Sequence, residues 1–104
     1  MVNKITDSTF ESEVIKASEP VLVDFNATWC GPCRMMAPVF EELSEEYSGV
    51  KFISCDVDEC PETAQKYGVM SIPTMIMFKN GEPSDPVIGA QPKRNLEDFI
   101  GRFV

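Results

Sequence analysis

TWCGPCRM, residues 28–35, sets two cysteines three positions apart with only Gly31 and Pro32 between them, directly behind the single tryptophan of the chain. Its flanks decide how it is built. Upstream, Val21-Leu22-Val23-Asp24-Phe25 reads as a central strand, apolar on both faces except for one carboxylate. Downstream, Met36, Val39, Phe40, Leu43 and Tyr47 share one helical face until Gly49 closes the run, and Pro38 is expected to kink this helix near its start. Cys30 therefore falls where a strand ends and a helix begins. Pro32 sits in the first helical turn, where its missing N–H leaves no bond unmade.

A helix N-terminus suits a thiolate. Unpaired backbone N–H groups and the helix dipole stabilise an anion there and lower a cysteine's pKa from its free value of about 8.5. Side chains three apart on a helical turn lie roughly 5–6 Å apart at Cβ, so a disulfide can form and reopen with little backbone movement. On this reading Cys30 is the attacking thiolate and Cys33, inside the turn, the buried resolving thiol. A structural zinc site is the rival, since Cys55 and Cys60 bring the sulfurs to four. It is disfavoured because Cys55 shares a strand face with Ile53 and Val57, where a free cysteine behaves as a small buried hydrophobe. Cys60, before Pro61 at the mouth of a short helix, is expected to be the more exposed of that pair and an idle surface thiol.

Working outward, Ser8-Thr9-Phe10-Glu11 has the form of a capping box, followed by Phe10, Val14 and Ala17 at helical spacing until Pro20 stops the helix. Val50 to Val57 forms a second buried strand, Pro61 opens a short helix ending near Gly68, and Met75-Ile76-Met77-Phe78 is a third strand. Asn80-Gly81 turns it into Pro86-Val87-Ile88, which Pro83 and Pro86 confine to an edge. Leu96, Phe99, Ile100 and Phe103 mark a closing helix. Parallel crossovers followed by an antiparallel pair predict an α/β fold, a mixed central sheet flanked by helices on both faces.

The chain of 104 residues is read as a single domain, residues 1–104, with enough apolar sequence (43%) to fold around one core. Seventeen acids against nine bases give a net charge of −8, which disfavours nucleic acid and anionic membrane as partners. No window has the apolar length of a membrane span, and MVNKITDSTFE lacks the apolar segment of a secretory signal, so the expected location is cytoplasmic. Asn26-Ala27-Thr28 matches a glycosylation sequon by chance, since it abuts a buried strand.

WCGPC at a helix start, Asp24 in the preceding strand, Ser71-Ile72-Pro73-Thr74 before the third strand and Lys79-Asn80-Gly81-Glu82 at the hairpin resemble the thioredoxin family, in its order and along essentially the whole chain. The resemblance implies a thioredoxin fold and a thiol-disulfide oxidoreductase that reduces protein disulfides through a mixed disulfide, with no cofactor or metal. It also implies a cis peptide at Ile72-Pro73 and an apolar rim of Trp29, Gly31, Pro32, Ile72, Pro73, Gly89 and Ala90 that meets the substrate chain, with Trp29 about half exposed. The implied partners are disulfide-containing proteins and a thioredoxin reductase, nicotinamide-linked or ferredoxin-linked, and the implied state is a monomer. Asn26 departs from the tryptophan that many members carry, and Ser54 from a lysine near the buried aspartate. Met70, beside the substrate loop, suits a different partner set.

Direction of electron flow depends on how strongly the thiolate is stabilised. Oxidising relatives place a histidine between the cysteines, whereas this chain has no histidine, and Arg34 is expected to point away from the Cys30 sulfur. Reduction is therefore favoured over oxidation, and over a role as a scaffold, which would need neither cysteine. Asp24, six residues before Cys30, is expected to lie beneath Cys33 with a raised pKa and to accept its proton.

Overall fold

The computed structural model describes residues 1–104. Six strands make one mixed sheet: β1 (Val2–Lys4), β2 (Val21–Asn26), β3 (Lys51–Asp56), β4 (Thr74–Lys79), β5 (Glu82–Pro83) and β6 (Val87–Ile88). The helices are α1 (Gly31–Glu46), α2 (Pro61–Lys66) and α3 (Lys93–Gly101). β3 runs parallel to β1 on one side and to β2 on the other, while β4 lies antiparallel to β2 and carries β5 and β6 on its far edge. The centre of the sheet is thus β2, whose Val21 to Phe25 are all buried as the apolar run requires.

Alternation along the strands sorts two cores. Val21, Val23 and Phe25 face α2 with Phe10, Val14, Ile53 and Phe78, and the rings of Phe10, Tyr67 and Phe78 meet pairwise at 5.0–5.5 Å. Leu22 faces α1 and α3 with Phe40, Leu43, Phe52, Met77 and Leu96. Each such fully buried side chain contributes roughly 1.5–3 kcal/mol relative to exposure. Lys93 ties α3 to α1 through Glu42 and Glu46. Asn80 and Gly81 take the positive φ of the hairpin turn, 53° and 80°, and a Cβ on Gly81 would come within 3.3 Å of Ile15.

Four local expectations are corrected. The capping box does not form: Ser8 bonds the Thr6 hydroxyl, the Thr9 hydroxyl receives the Thr6 N–H at 2.9 Å, and no side chain caps the turn beyond. That turn, Glu11–Ile15, is wound wide, with the Lys16 N–H reaching Glu11 O, and ends well before Pro20. β1, which no apolar pattern in Val2–Lys4 announces, adds a strand, and β3 is a residue shorter at each end than Val50 to Val57. The edge strand is two short pieces, because Ser84 leaves the ladder to bond Met77 and Asp85.

α2 has no cap of its own; Asp7 supplies one from the loop after β1. Its carboxylate accepts from the backbone N–H groups of Thr63 (2.9 Å) and Glu62 (3.2 Å) and from the Thr63 hydroxyl (2.6 Å), bonds that hold its pKa below the ordinary value. A depressed folded pKa means stability that is present above the unfolded pKa and lost as pH falls through the folded one. Asp7→Ala is accordingly expected to lower the denaturation midpoint at pH 7 and to converge with the native protein in acid. A gap that persists unchanged below pH 3 would show that the carboxylate charge is not what caps α2.

Candidate active site

The central strand β2 ends at Asn26, and Ala27-Thr28-Trp29 leads from its C-terminal end into α1. Cys30 is the N-cap of α1, in extended conformation (φ −90°, ψ 113°), and its sulfur accepts the Cys33 N–H at 3.2 Å. This is the anion site that the helix start implied. Cys30 and Cys33 are joined as a disulfide with Cα atoms 5.2 Å apart, packed with Ala27 against Val57 and Ile72. Burial does not separate the two roles as expected: in the disulfide Cys30 is 5% exposed and Cys33 4%. What distinguishes Cys30 is its place at the cap, facing the Ile72 carbonyl 4.0 Å from its sulfur.

Of the expected rim, Ile72 packs against the disulfide. Ile72-Pro73 is cis, and the Pro73 carbonyl accepts the Gly89 N–H at 2.7 Å, which sets the Gly89-Ala90 loop beside it. Trp29 is 66% exposed, more than the half expected, and its indole N–H donates to Asp58 at 2.7 Å. Gly31 is half-buried and Pro32 exposed on the same edge. The Arg34 guanidinium turns back to the Thr28 carbonyl, 3.5 Å away. Met70 and Ile88 are exposed apolar side chains on the segments flanking Pro73.

Behind the disulfide, a cavity of about 320 Å³ separates α1 from the sheet, with both Asp24 and Cys33 in its wall. Asp24 is 4% exposed and its Oδ1 has no hydrogen-bond partner. Desolvation pushes its carboxyl up to about 7, opposed in part by the Asn26 amide beside it. Asn26 and Ser54, separate departures in the sequence, form one unit: the Asn26 amide donates to the Ser54 hydroxyl and to the Asp24 carbonyl, both at 2.9 Å. Parallel pairing puts Asp24 opposite Ser54, a register invisible in either segment alone. Lys4, also in the cavity wall, and Asp58, the partner of Trp29, were not singled out from the sequence.

Cys60 is not a surface thiol. It is fully buried with Cys55 in the α2-side core, because its sulfur turns inward to donate to the Ile5 carbonyl at 3.3 Å. The two cysteine pairs lie in different apolar clusters. Burial pushes the thiol pKa of both Cys55 and Cys60 upward and leaves them poor nucleophiles. In the reduced protein at neutral pH, Cys30 is expected to alkylate first and Cys55 and Cys60 to stay unlabelled until denaturation. Peptide mapping after brief iodoacetamide treatment reads this, and early label on Cys55 or Cys60 would overturn it.

Comparison with known proteins agrees with this geometry. The family model described as Thioredoxin matches residues 1–102. The chain is 48% identical over 105 residues to a thioredoxin of Rickettsia prowazekii, covering the full length of both. It is 56% identical over 102 residues to a thioredoxin of Staphylococcus epidermidis, covering 97% of this chain and 96% of that one. With the chloroplastic M-type thioredoxin of Pisum sativum it shares 50% over 104 residues, which is 99% of this chain and 60% of the other. A family match across nearly the whole chain and a cysteine pair closed as a disulfide at a helix start lead to one conclusion: the chain belongs to the thioredoxin family, the thiol-disulfide oxidoreductases that reduce protein disulfides.

Proposed function

We propose that the two cysteines divide the reaction between them. The Cys30 thiolate attacks a substrate disulfide, forming a mixed disulfide and expelling one substrate thiolate. Cys33 then gives up its proton and attacks the Cys30 sulfur, so the second substrate thiolate leaves, the Cys30–Cys33 disulfide forms, and two electrons have passed to the substrate. The observation that carries this assignment is the Cys30 sulfur accepting a backbone N–H at the start of α1, a position that favours its anion. Asp24 takes the Cys33 proton, directly or through a water; both line one cavity, and a carboxyl titrating near 7 is matched to that task.

The rim of Trp29, Gly31, Pro32, Ile72, Pro73, Gly89 and Ala90 receives the substrate chain. Its support is the exposed indole beside the disulfide and the cis-proline loop facing Cys30. Residues 1–104 act as one domain and a monomer, recycled by a thioredoxin reductase. No helix is long and apolar enough to cross a membrane, and two unpaired cysteines suit a reducing cytoplasm. Reduction of insulin by dithiothreitol, with native protein, Cys30→Ser and Cys33→Ser side by side, tests the assignment. Native protein is expected to accelerate the reaction, Cys33→Ser to do so far more slowly because dithiothreitol must then release its mixed disulfide, and Cys30→Ser not at all; acceleration by Cys30→Ser would refute the nucleophile.

A further inference from the structure

Pairing across the sheet aligns three side chains. Lys4 of β1 is opposite Ser54 of β3, and Ser54 is opposite Asp24 of β2. Residues in register on neighbouring strands point to the same face, here the α1 face, and all three line the cavity behind Cys33. Asp24 lies at its buried end with Oδ1 unpartnered, and Lys4 is exposed on the outer strand. We propose that Lys4 is the cation that faces ionised Asp24, reaching across the Ser54 hydroxyl from β1. It is a positioning residue, and its consequence for the reaction rests on the reading of Asp24 as the base for Cys33.

Two strand spacings put the backbones of Lys4 and Asp24 about 10 Å apart. A flexible four-carbon stem spans most of that gap, and the Ser54 hydroxyl or one water closes the rest. Lys4 is free to do so, since the ion pairs of the structure are made by Lys16, Lys51 and Lys93. The other charged or titratable groups of the cavity are Cys33, Arg34 and Glu41, all on α1. Arg34 is turned to the Thr28 carbonyl, and Glu41 repels a second anion rather than receiving one. Asp56 and Glu59 line the adjoining groove, which Lys4 also borders, so Lys4 has those carboxylates on one side and Asp24 on the other as possible partners. While Asp24 is neutral those two carboxylates hold the lysine outward. Once Asp24 ionises in its poorly solvated site, the inward position becomes the more attractive.

The Asp24 carboxyl is to be followed by NMR of the reduced protein labelled with ¹³C at aspartate carboxyls. In Lys4→Gln its titration midpoint is expected to rise by about one pH unit, a tenfold weaker hold on the anion, the size of a charge interaction at this separation in a partly buried site. Lys4→Arg is expected to restore the native midpoint, and Arg34→Gln to move it less than Lys4→Gln does. An unchanged midpoint in Lys4→Gln, or no rescue by arginine, overturns the proposal. The pH profile of mixed-disulfide resolution, measured on the same variants, separates the two readings. If its acid limb follows the midpoint upward, Asp24 is the base and Lys4 its counter-charge. If the midpoint moves and the limb does not, the pairing stands and the base role of Asp24 falls.

Discussion

Cys33→Ser is expected to convert the enzyme from a catalyst into a trap. Cys30 keeps its place at the α1 cap and still attacks, so the variant should accumulate one substrate chain per molecule as a mixed disulfide on Cys30. The native second step is intramolecular, between residues whose Cα atoms are 5.2 Å apart. Oriented intramolecular reactions reach effective molarities of about 10⁵–10⁸ M; even an effective molarity of only about 1 M would mean that replacing Cys33 by millimolar external thiol slows release by about a thousandfold, which is the least effect expected. Cys30→Ser, by contrast, should form no adduct. Intact-mass measurement of each variant after mixing with a disulfide-containing protein, without added thiol, distinguishes them. Repeated turnover by Cys33→Ser, or an adduct mapped to Cys55 or Cys60, would contradict the division of roles. The buried pair gives no reason to expect the latter, because both sulfurs are sealed in the α2-side core.

What could be read in advance follows from where each cause lies along the chain. Val21 to Phe25 and Met75 to Phe78 are continuous apolar runs, and α1 has a clean apolar face; these features are local, and they placed Cys30 at a strand-to-helix junction. β1 is three residues with two polar side chains and exists only because β3 offers it an edge. The true cap of α2 comes from Asp7, 56 positions before Thr63, whereas the apparent capping box at Ser8 is pre-empted by hydroxyl bonds within Thr6–Thr9. The local signal at Cys60, Pro61 directly after it, is that of a loop thiol, but its partner is the distant Ile5 carbonyl. Around the active site the same division holds. The cysteine spacing is local and was legible, while the Asn26–Ser54 bond and the row from Lys4 to Asp24 arise from strand register.

Asp24→Asn is expected to stabilise the protein and to cripple it at the same pH. The folded protein holds the Asp24 proton more tightly than the unfolded chain, with the carboxyl raised from 3.8 to about 7 by desolvation. Between those values the native state binds more protons than the unfolded one, so stability falls as pH rises through that window and levels off above it. A difference of about three pH units at 1.36 kcal/mol each gives a cost of the order of 4 kcal/mol at pH 8 and almost none at pH 3. Asparagine has nearly the same shape and no charge to desolvate. Denaturation curves of the oxidised proteins at pH 3, 5, 7 and 8 should therefore show the variant gaining on the native chain at each step up to neutrality. Catalysis should move the other way. Without a base in the cavity it shares with Cys33, resolution of the mixed disulfide is expected to slow by roughly 100-fold at pH 8, the lower range for a positioned general base. Near pH 5 native Asp24 is itself mostly protonated, and the two rates should converge. A variant that gains nothing with rising pH would remove the buried, raised-pKa carboxyl; one that gains stability yet resolves at the native rate would leave Asp24 a destabilising charge with no part in the proton transfer.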